Sequence, residues 1–207
     1  MTRTDEWYSL PVLTGSLIRL EPLAVEHVDG YLAAARDDEE VLRWVNTPGS
    51  SSGAIRTRDD ARADVLAALA ARARGQRLAY AQLDAGTGEF AGTTSLYELD
   101  PAARALAIGS TWLARRHWRR GHNTESKLLL LTHAFEGLGA ARVVWHTDIR
   151  NERSQAAIAR LGATREGELR KHRIRRDGSW RTTVQYSMTD DDWPAARDRL
   201  SARLARG

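Results

Sequence analysis

Residues 106–167 constrain the fold more than any other stretch. The run LAIGSTWL (106–113) has the mixed apolar pattern of a strand and leads into a basic loop holding one glycine, ARRHWRRGHNTE (114–125). A helical pattern follows, with Leu128, Leu131, Phe135 and Leu138 on one stripe and His133 and Glu136 opposite. Next comes a second strand, ARVVWHT (141–147), and then a helix that Asn151 caps and Gly162 closes. Ser154, Ile158 and Leu161 share one face of that helix.

The flanking sequence supplies the rest of a sheet. SLIRLE (16–21) alternates as a half-buried strand, and helical patterns cover 25–36, 39–45 and 57–73, the last stopped by Gly75. Strands at 78–83 and 90–96, joined by the turn DAGTGE (84–89), form an antiparallel meander with 106–113. A final hairpin spans 166–174 and 182–188, turning at Asp177-Gly178, and 191–204 reads as an amphipathic helix. The stretch TPGSSSG (47–53) is loop chemistry and a candidate lid. This order predicts a mixed α/β sheet and excludes a regularly alternating doubly wound one.

Composition removes several function classes. The 207 residues fit one domain, and the absence of cysteine excludes disulfides, zinc fingers, thiolate nucleophiles and iron–sulfur ligation. Six histidines show no metal-ligand spacing, so no metal is expected. No apolar run reaches the roughly 20 residues of a membrane span, and MTRTDEW lacks a signal core, so a cytoplasmic location is expected. The net charge of +4 is carried almost entirely by arginine, which suits phosphate and carboxylate recognition. Acidic residues are scattered through the chain, which argues against a nucleic-acid partner.

The 114–125 loop is the strongest chemical signal. A strand, a basic glycine loop and a helix start present free backbone N–H groups and the positive end of a helix dipole, a cradle for phosphate. Gly121 lets an anion approach the backbone, and Arg115, Arg116, Arg119 and Arg120 add charge nearby. The alternative is a solvated arginine-rich turn. A GK[ST] ending is lacking, so nucleotide hydrolysis is not supported.

The loop WRRGHNTE, the Leu-rich helix, the strand and then NERSQAAIARLGATREGELR together resemble the GNAT N-acetyltransferase superfamily, in its ribosomal-protein N-terminal acetyltransferase-like branch. The resemblance covers about 14–190 and departs at Asn123, where Gly or Ala is usual, and at Trp118. It implies an α/β GNAT fold, a mixed and mostly antiparallel six- to seven-stranded sheet flanked by helices and splayed between the fourth and fifth strands. Residues 1–207 would form a single domain, with 191–204 as a C-terminal helix.

The function implied is acetyl-CoA-dependent transfer to a primary amine, by direct attack in a ternary complex. Arg119, Arg120, Gly121, His122, Asn123 and Thr124 would hold the pyrophosphate of acetyl-CoA. Trp112, Leu113 and Asn151 would hold the pantetheine arm, and Ser154 would sit at the thioester sulfur as the acid for the leaving thiolate. Glu166 matches the branch's glutamate and is the expected base, against a strand-end ion pair. His146, Asp148 and Glu98 are further base candidates. Tyr97, Trp44 and Trp118 either line the acceptor pocket or pack. The expected acceptor is a peptide or protein N-terminus. A small amine (amino acid, polyamine or drug) is the alternative, and a non-catalytic acyl-CoA-binding module is the third reading. Both a monomer and a homodimer stay open, the dimer preferred.

Overall fold

The computed structural model describes residues 3–36, 38–45, 54–175 and 177–206. The stretch 47–53, expected as a loop and lid, lies outside the described residues. A short helix α1 (Arg3–Trp7) precedes a two-residue strand β1 (Leu13–Thr14), which pairs with β2 (Ile18–Pro22). Along β2 the buried Ile18 and Leu20 flank the exposed Arg19, as in a strand with one covered face. Antiparallel pairing then continues through β3 (Arg77–Asp84), β4 (Phe90–Asp100) and β5 (Ala105–Leu113), the expected meander.

The remaining strands are β6 (Arg142–Asp148), β7 (Thr164–Ile174) and β8 (Trp180–Thr189), and the sheet order is β1-β2-β3-β4-β5-β6-β8-β7. It thus has eight strands where six to seven were expected. The extra one, β1, is too short to leave a periodic pattern. Helices cover both faces. α2 (Val28–Ala35), α3 (Glu39–Leu42) and α4 (Arg58–Ala73) pack over Ala79, Ala81, Leu83 and Phe90. On the other face α5 (His122–Thr132), α6 (Glu152–Leu161) and α7 (Trp193–Leu204) cover Leu78, Tyr80, Leu106, Ile108 and Trp145. Alternation along β3 sends its residues to the two cores in turn.

Local chemistry sets the boundaries. Thr57 Oγ1 accepts from Asp60 N–H (3.1 Å) and Asp60 Oδ2 accepts from Thr57 N–H (2.9 Å), a reciprocal cap that starts α4. α5 runs into a π-helical turn, His133–Gly137, which turns its apolar face relative to a plain α-helix. Leu130, Leu131, Ala134 and Phe135 are therefore buried, while Leu128 is half-buried and His133 does not stand fully in solvent. Replacing Leu130 by Ala would cost about 2–5 kcal/mol for a buried leucine.

One feature of the sheet positions the site. β5 and β6 are parallel and pair over three positions, Ala105↔Arg142 to Ala107↔Val144. Beyond them β5 carries one extra residue opposite β4, with Ser110 at φ 48, a bulge that bends the strand. The two strands part there. This is the predicted splay, now between the fifth and sixth strands because β1 shifts the count.

Candidate active site

The splay opens a cleft of about 1340 Å³ that runs from the 119–124 loop to Tyr97 and His146. At the loop end, Gly121 caps α5 in the left-handed region (φ 81), and a Cβ there would come within 2.7 Å of Leu17 Cδ1. The first N–H with a helical partner is that of Glu125, to Gly121 O (3.0 Å), so those of His122, Asn123 and Thr124 precede the ladder. The four loop arginines divide. Arg115 is bound to Asp38 (2.8 Å) and Glu40 (3.0 Å), and Arg116 lies 3.5 Å from Glu89. Arg119 and Arg120 line the cleft and make no ion pair among the described residues. Backbone donors, a dipole end and unpaired guanidiniums converge here, a set that fits phosphate oxygens.

His122 contributes backbone to this cradle, whereas its side chain turns inward. Its Nε2 lies 2.9 Å from Asp84 Oδ2, and that hydrogen bond leads the causes holding the Asp84 carboxyl down to about 2. The buried His117 stands 3.7 Å from the same oxygen. These three residues tie the β3–β4 turn to the loop. Glu125, in the first turn of α5, accepts from the N–H groups of Ser16, Leu17 and Ile18 (2.7–3.0 Å) and from the Ser16 hydroxyl. It fixes α5 against the start of β2.

Midway along the cleft, Trp112, Leu113, Asn151 and Ser154 line its walls. The carbonyl of Trp112 accepts from Gln82 Nε2 (3.1 Å) and that of Leu113 from Trp118 Nε1 (2.7 Å). Asn151 Oδ1 accepts from Ser154 N–H (3.0 Å), capping α6 and leaving the amide NH₂ without a partner among the described residues. Trp145 Nε1 is likewise buried and unpartnered. Two donors therefore stand ready for the polar atoms of an extended arm. Trp118 is pinned between Arg153 (4.1 Å) and Arg115 (5.0 Å) at the cleft wall.

Lys127 also lines the cleft and went unnoticed in the sequence, since a lysine on a helix is ordinarily solvated. Its Nζ donates to Thr94 Oγ1 (3.0 Å) and Thr111 Oγ1 (2.7 Å), and burial pushes the amine down to about 7.

The far end holds a network around His146. Its Nε2 lies 3.2 Å from Gln185 Oε1 and its Nδ1 3.2 Å from the Tyr97 hydroxyl. Gln185 Nε2 donates to Glu166 Oε2 (2.9 Å), which fixes the amide with its oxygen toward His146. A carbonyl oxygen opposite Nε2 places the proton on that nitrogen and leaves the Nδ1 lone pair to accept from the Tyr97 hydroxyl. Burial lowers the His146 pKa below the usual histidine range, partly opposed by Glu98 at 3.7 Å. Tyr97, buried, is pushed up to about 12 and stays a donor.

The structure does not bring Glu166 to the cleft. It is ion-paired with Arg142, and that partner first among several holds its carboxyl down to about 2, the state of a poor base. Its place on β7, next to β8 rather than next to the gap, is the reason. Asp148 lines the cleft, but Arg175 grips both of its oxygens (2.6 and 2.9 Å). Trp44, Tyr97 and Glu98 also line it. The pairing of His146 with Tyr97 and the guanidinium of Arg181 on the wall were not legible in the sequence.

Comparison with known proteins agrees with this architecture. Residues 18–164 match the acetyltransferase (GNAT) domain, and the chain belongs to that family. A Bacillus subtilis (strain 168) protein provisionally named ribosomal N-acetyltransferase YdaF is 33% identical over 106 residues, 51% of this chain and 57% of that relative. The chain thus spans little more than half of that curated relative. A GCN5-related N-acetyltransferase from Brucella melitensis superposes with a TM-score of 0.85 at 30% identity, over 95% of this chain and 86% of that one. Mycobacterium smegmatis RimJ, solved in complex with CoA-disulfide, shares the fold at a TM-score of 0.78 and 22% identity, over 96% of each chain. The GNAT family transfers acetyl groups from acetyl-CoA, and the ribosomal name belongs to the Bacillus subtilis relative. Among the described residues no helix is long and apolar enough to cross a membrane.

Proposed function

We propose that the chain transfers an acetyl group from acetyl-CoA to the α-amine of a peptide or protein, by direct attack within a ternary complex. One observation carries this reading: a single cleft joins the anion cradle at 119–124 to the His146–Tyr97 pair through the splay. Bound acetyl-CoA supplies the acetyl thioester. Arg119, Arg120 and the N–H groups of His122, Asn123 and Thr124 hold its phosphates. Asn151 and Trp145 donate to its arm, in the seam beside Trp112 and Leu113. The ribosomal name of the Bacillus subtilis relative favours a protein N-terminus as acceptor.

The residues divide the proton work. An α-amine titrates at about 7.7–8.0, so much of it is charged at neutral pH and it must lose a proton to attack. His146 is neutral there and takes that proton at Nδ1 through the Tyr97 hydroxyl, which accepts from the amine as it gives its own proton to the ring. Tyr97 orients the ring, and Gln185, held by Glu166, sets its tautomer. Ser154, whose hydroxyl has no partner among the described residues, gives a proton to the departing thiolate. The chain has no cysteine, so no acyl-cysteine step is available.

Free-thiol release from acetyl-CoA, measured against peptides with varied first residues and against small amines, tests the reading. Turnover with particular peptide N-termini is expected. Turnover with small amines alone would replace the acceptor class, and silence with tight acetyl-CoA binding would leave a binding module.

A further inference from the structure

At the acceptor end the charges pair off and one guanidinium is left over. Asp148 is held at both oxygens by Arg175. Glu98 takes Arg173 at 3.4 Å and stands 3.7 Å from His146. Arg181, which pairs with Arg173 across the β7–β8 ladder, lines the same cleft. Its Nε is buried with no hydrogen-bond partner, and the guanidinium makes no ion pair among the described residues. Asp148 acts on it only through space, and an arginine cannot shed its charge, so a half-buried fork with no carboxylate in contact is a standing cost that an anionic ligand relieves.

Register places this fork relative to the base. His146 lies opposite Gln185 and Asp148 opposite Thr183, so 185, 183 and 181 alternate onto one face of β8. Arg181 is two such steps from Gln185, roughly 13 Å along the strand, and its side chain covers part of that distance. The group it would meet is therefore several ångströms from an amine at His146. In a peptide extended at about 3.3–3.6 Å per residue, the side chain of the second or third residue falls there. The amine and carboxylate of a free α-amino acid are too close together to reach both.

We infer that Arg181 is a specificity residue that binds a carboxylate of the acceptor, supplied by an acidic side chain at the second or third position of a peptide. This rests on the acetyl-transfer reading above. Arg173 keeps Glu98 from competing for the fork, and Arg175 does the same for Asp148. A planar guanidinium can take both carboxylate oxygens, which a glutamine side chain in the acceptor cannot imitate.

The test is thiol release with matched peptides carrying Glu or Gln at positions two and three, alongside free amino acids and their amides. Wild type is expected to prefer the Glu peptides by roughly 10- to 100-fold in kcat/KM, the size of a charged hydrogen bond. Arg181→Gln should level the two series, mainly through KM, and leave turnover of the Gln peptides standing. Arg181→Lys should restore part of the preference. Preference for a free amino acid over its amide, lost in Arg181→Gln, would overturn the assignment to a peptide side chain.

Equal turnover of both series by wild type overturns the inference and leaves acetyl transfer intact. So does an equal loss on both series in a folded Arg181→Gln. If Arg181→Gln does not fold, wild-type selectivity and the Lys variant decide. If no amine is turned over, the transfer reading fails. Calorimetry of an N-acetylated Glu peptide on the CoA-loaded protein then decides separately: affinity at least tenfold weaker in Arg181→Gln supports the carboxylate site, and equal or absent binding removes it.

Discussion

The two ends of the cleft are built by different means. The loop end is made of neighbours in sequence: the last residues of β5, a glycine turn and the first turn of α5. Its chemistry is mostly backbone, with Arg119 and Arg120 adding charge to donors that the turn itself supplies. The acceptor end is made of side chains from β4, β6, β7 and β8, at positions 97, 146, 173, 181 and 185. Nothing local joins these residues. They meet through sheet register, and each depends on a neighbour for orientation, as His146 depends on Gln185 and Gln185 on Glu166. A backbone cradle tolerates drift in side-chain identity, and a side-chain constellation can be retuned to a new substrate one residue at a time.

The comparison breaks hardest at Gly121. Gly121→Glu puts a side chain at φ 81, drives its Cβ toward Leu17 and sets a negative charge against the phosphate cradle. Acetyl-CoA binding by calorimetry should fall at least about 100-fold, the loss of a charge-assisted contact set. Unchanged affinity in a folded variant would show that the backbone cradle is not the anion site.

At the other end, the side chain itself is the chemistry. His146→Gln should lower kcat/KM by about 10²- to 10⁴-fold, the range for a positioned base, while acetyl-CoA affinity holds. The pH profile gives the sharper reading. The groups that face His146 are Glu98, Arg173, Arg181 and His172, and burial with the cations lowers its pKa more than Glu98 raises it. Wild-type kcat/KM should therefore rise through an acid limb below pH 6.5, and the variant should lose that limb. A limb that survives the substitution would assign the proton transfer to another group.

The same contrast decides what could be read in advance. The meander, the hairpin turn at Asp177-Gly178 and the Asn151 cap all follow from short-range pattern, and each is present. The loop residues 119–124 were legible for the same reason. Glu166 was drawn to the site by its place in a motif, yet its strand lies beyond β8, and the sequence carries no sign of that pairing order. The burial of Lys127 was hidden too, because it follows from Thr94 and Thr111 facing α5 across the sheet. Arg181 is one arginine in an arginine-rich chain, and only the partners of Arg173 and Arg175 set it apart.

Lys127 sharpens the comparison with the smallest expected effect, because it stands at the loop end but is held there by tertiary contacts. Its folded-state pKa is about 7 against an ordinary 10.5, and no carboxylate partners its ammonium among the described residues. Below pH 7 the amine is charged in both the folded and unfolded chain, and the folded state bears the full cost of burying it. Between pH 7 and 10.5 the unfolded chain binds more protons, so this group makes wild type gain stability as pH rises. Lys127→Met removes the charge and keeps the length. The variant should be more stable than wild type by roughly 1–4 kcal/mol at pH 6, as when buried charges are replaced by apolar groups. The advantage should shrink steadily toward pH 10, read from denaturant midpoints at each pH. A variant less stable than wild type at pH 6 would mean that the two threonine hydrogen bonds outweigh the desolvation, and that Lys127 is a structural strut of the cradle.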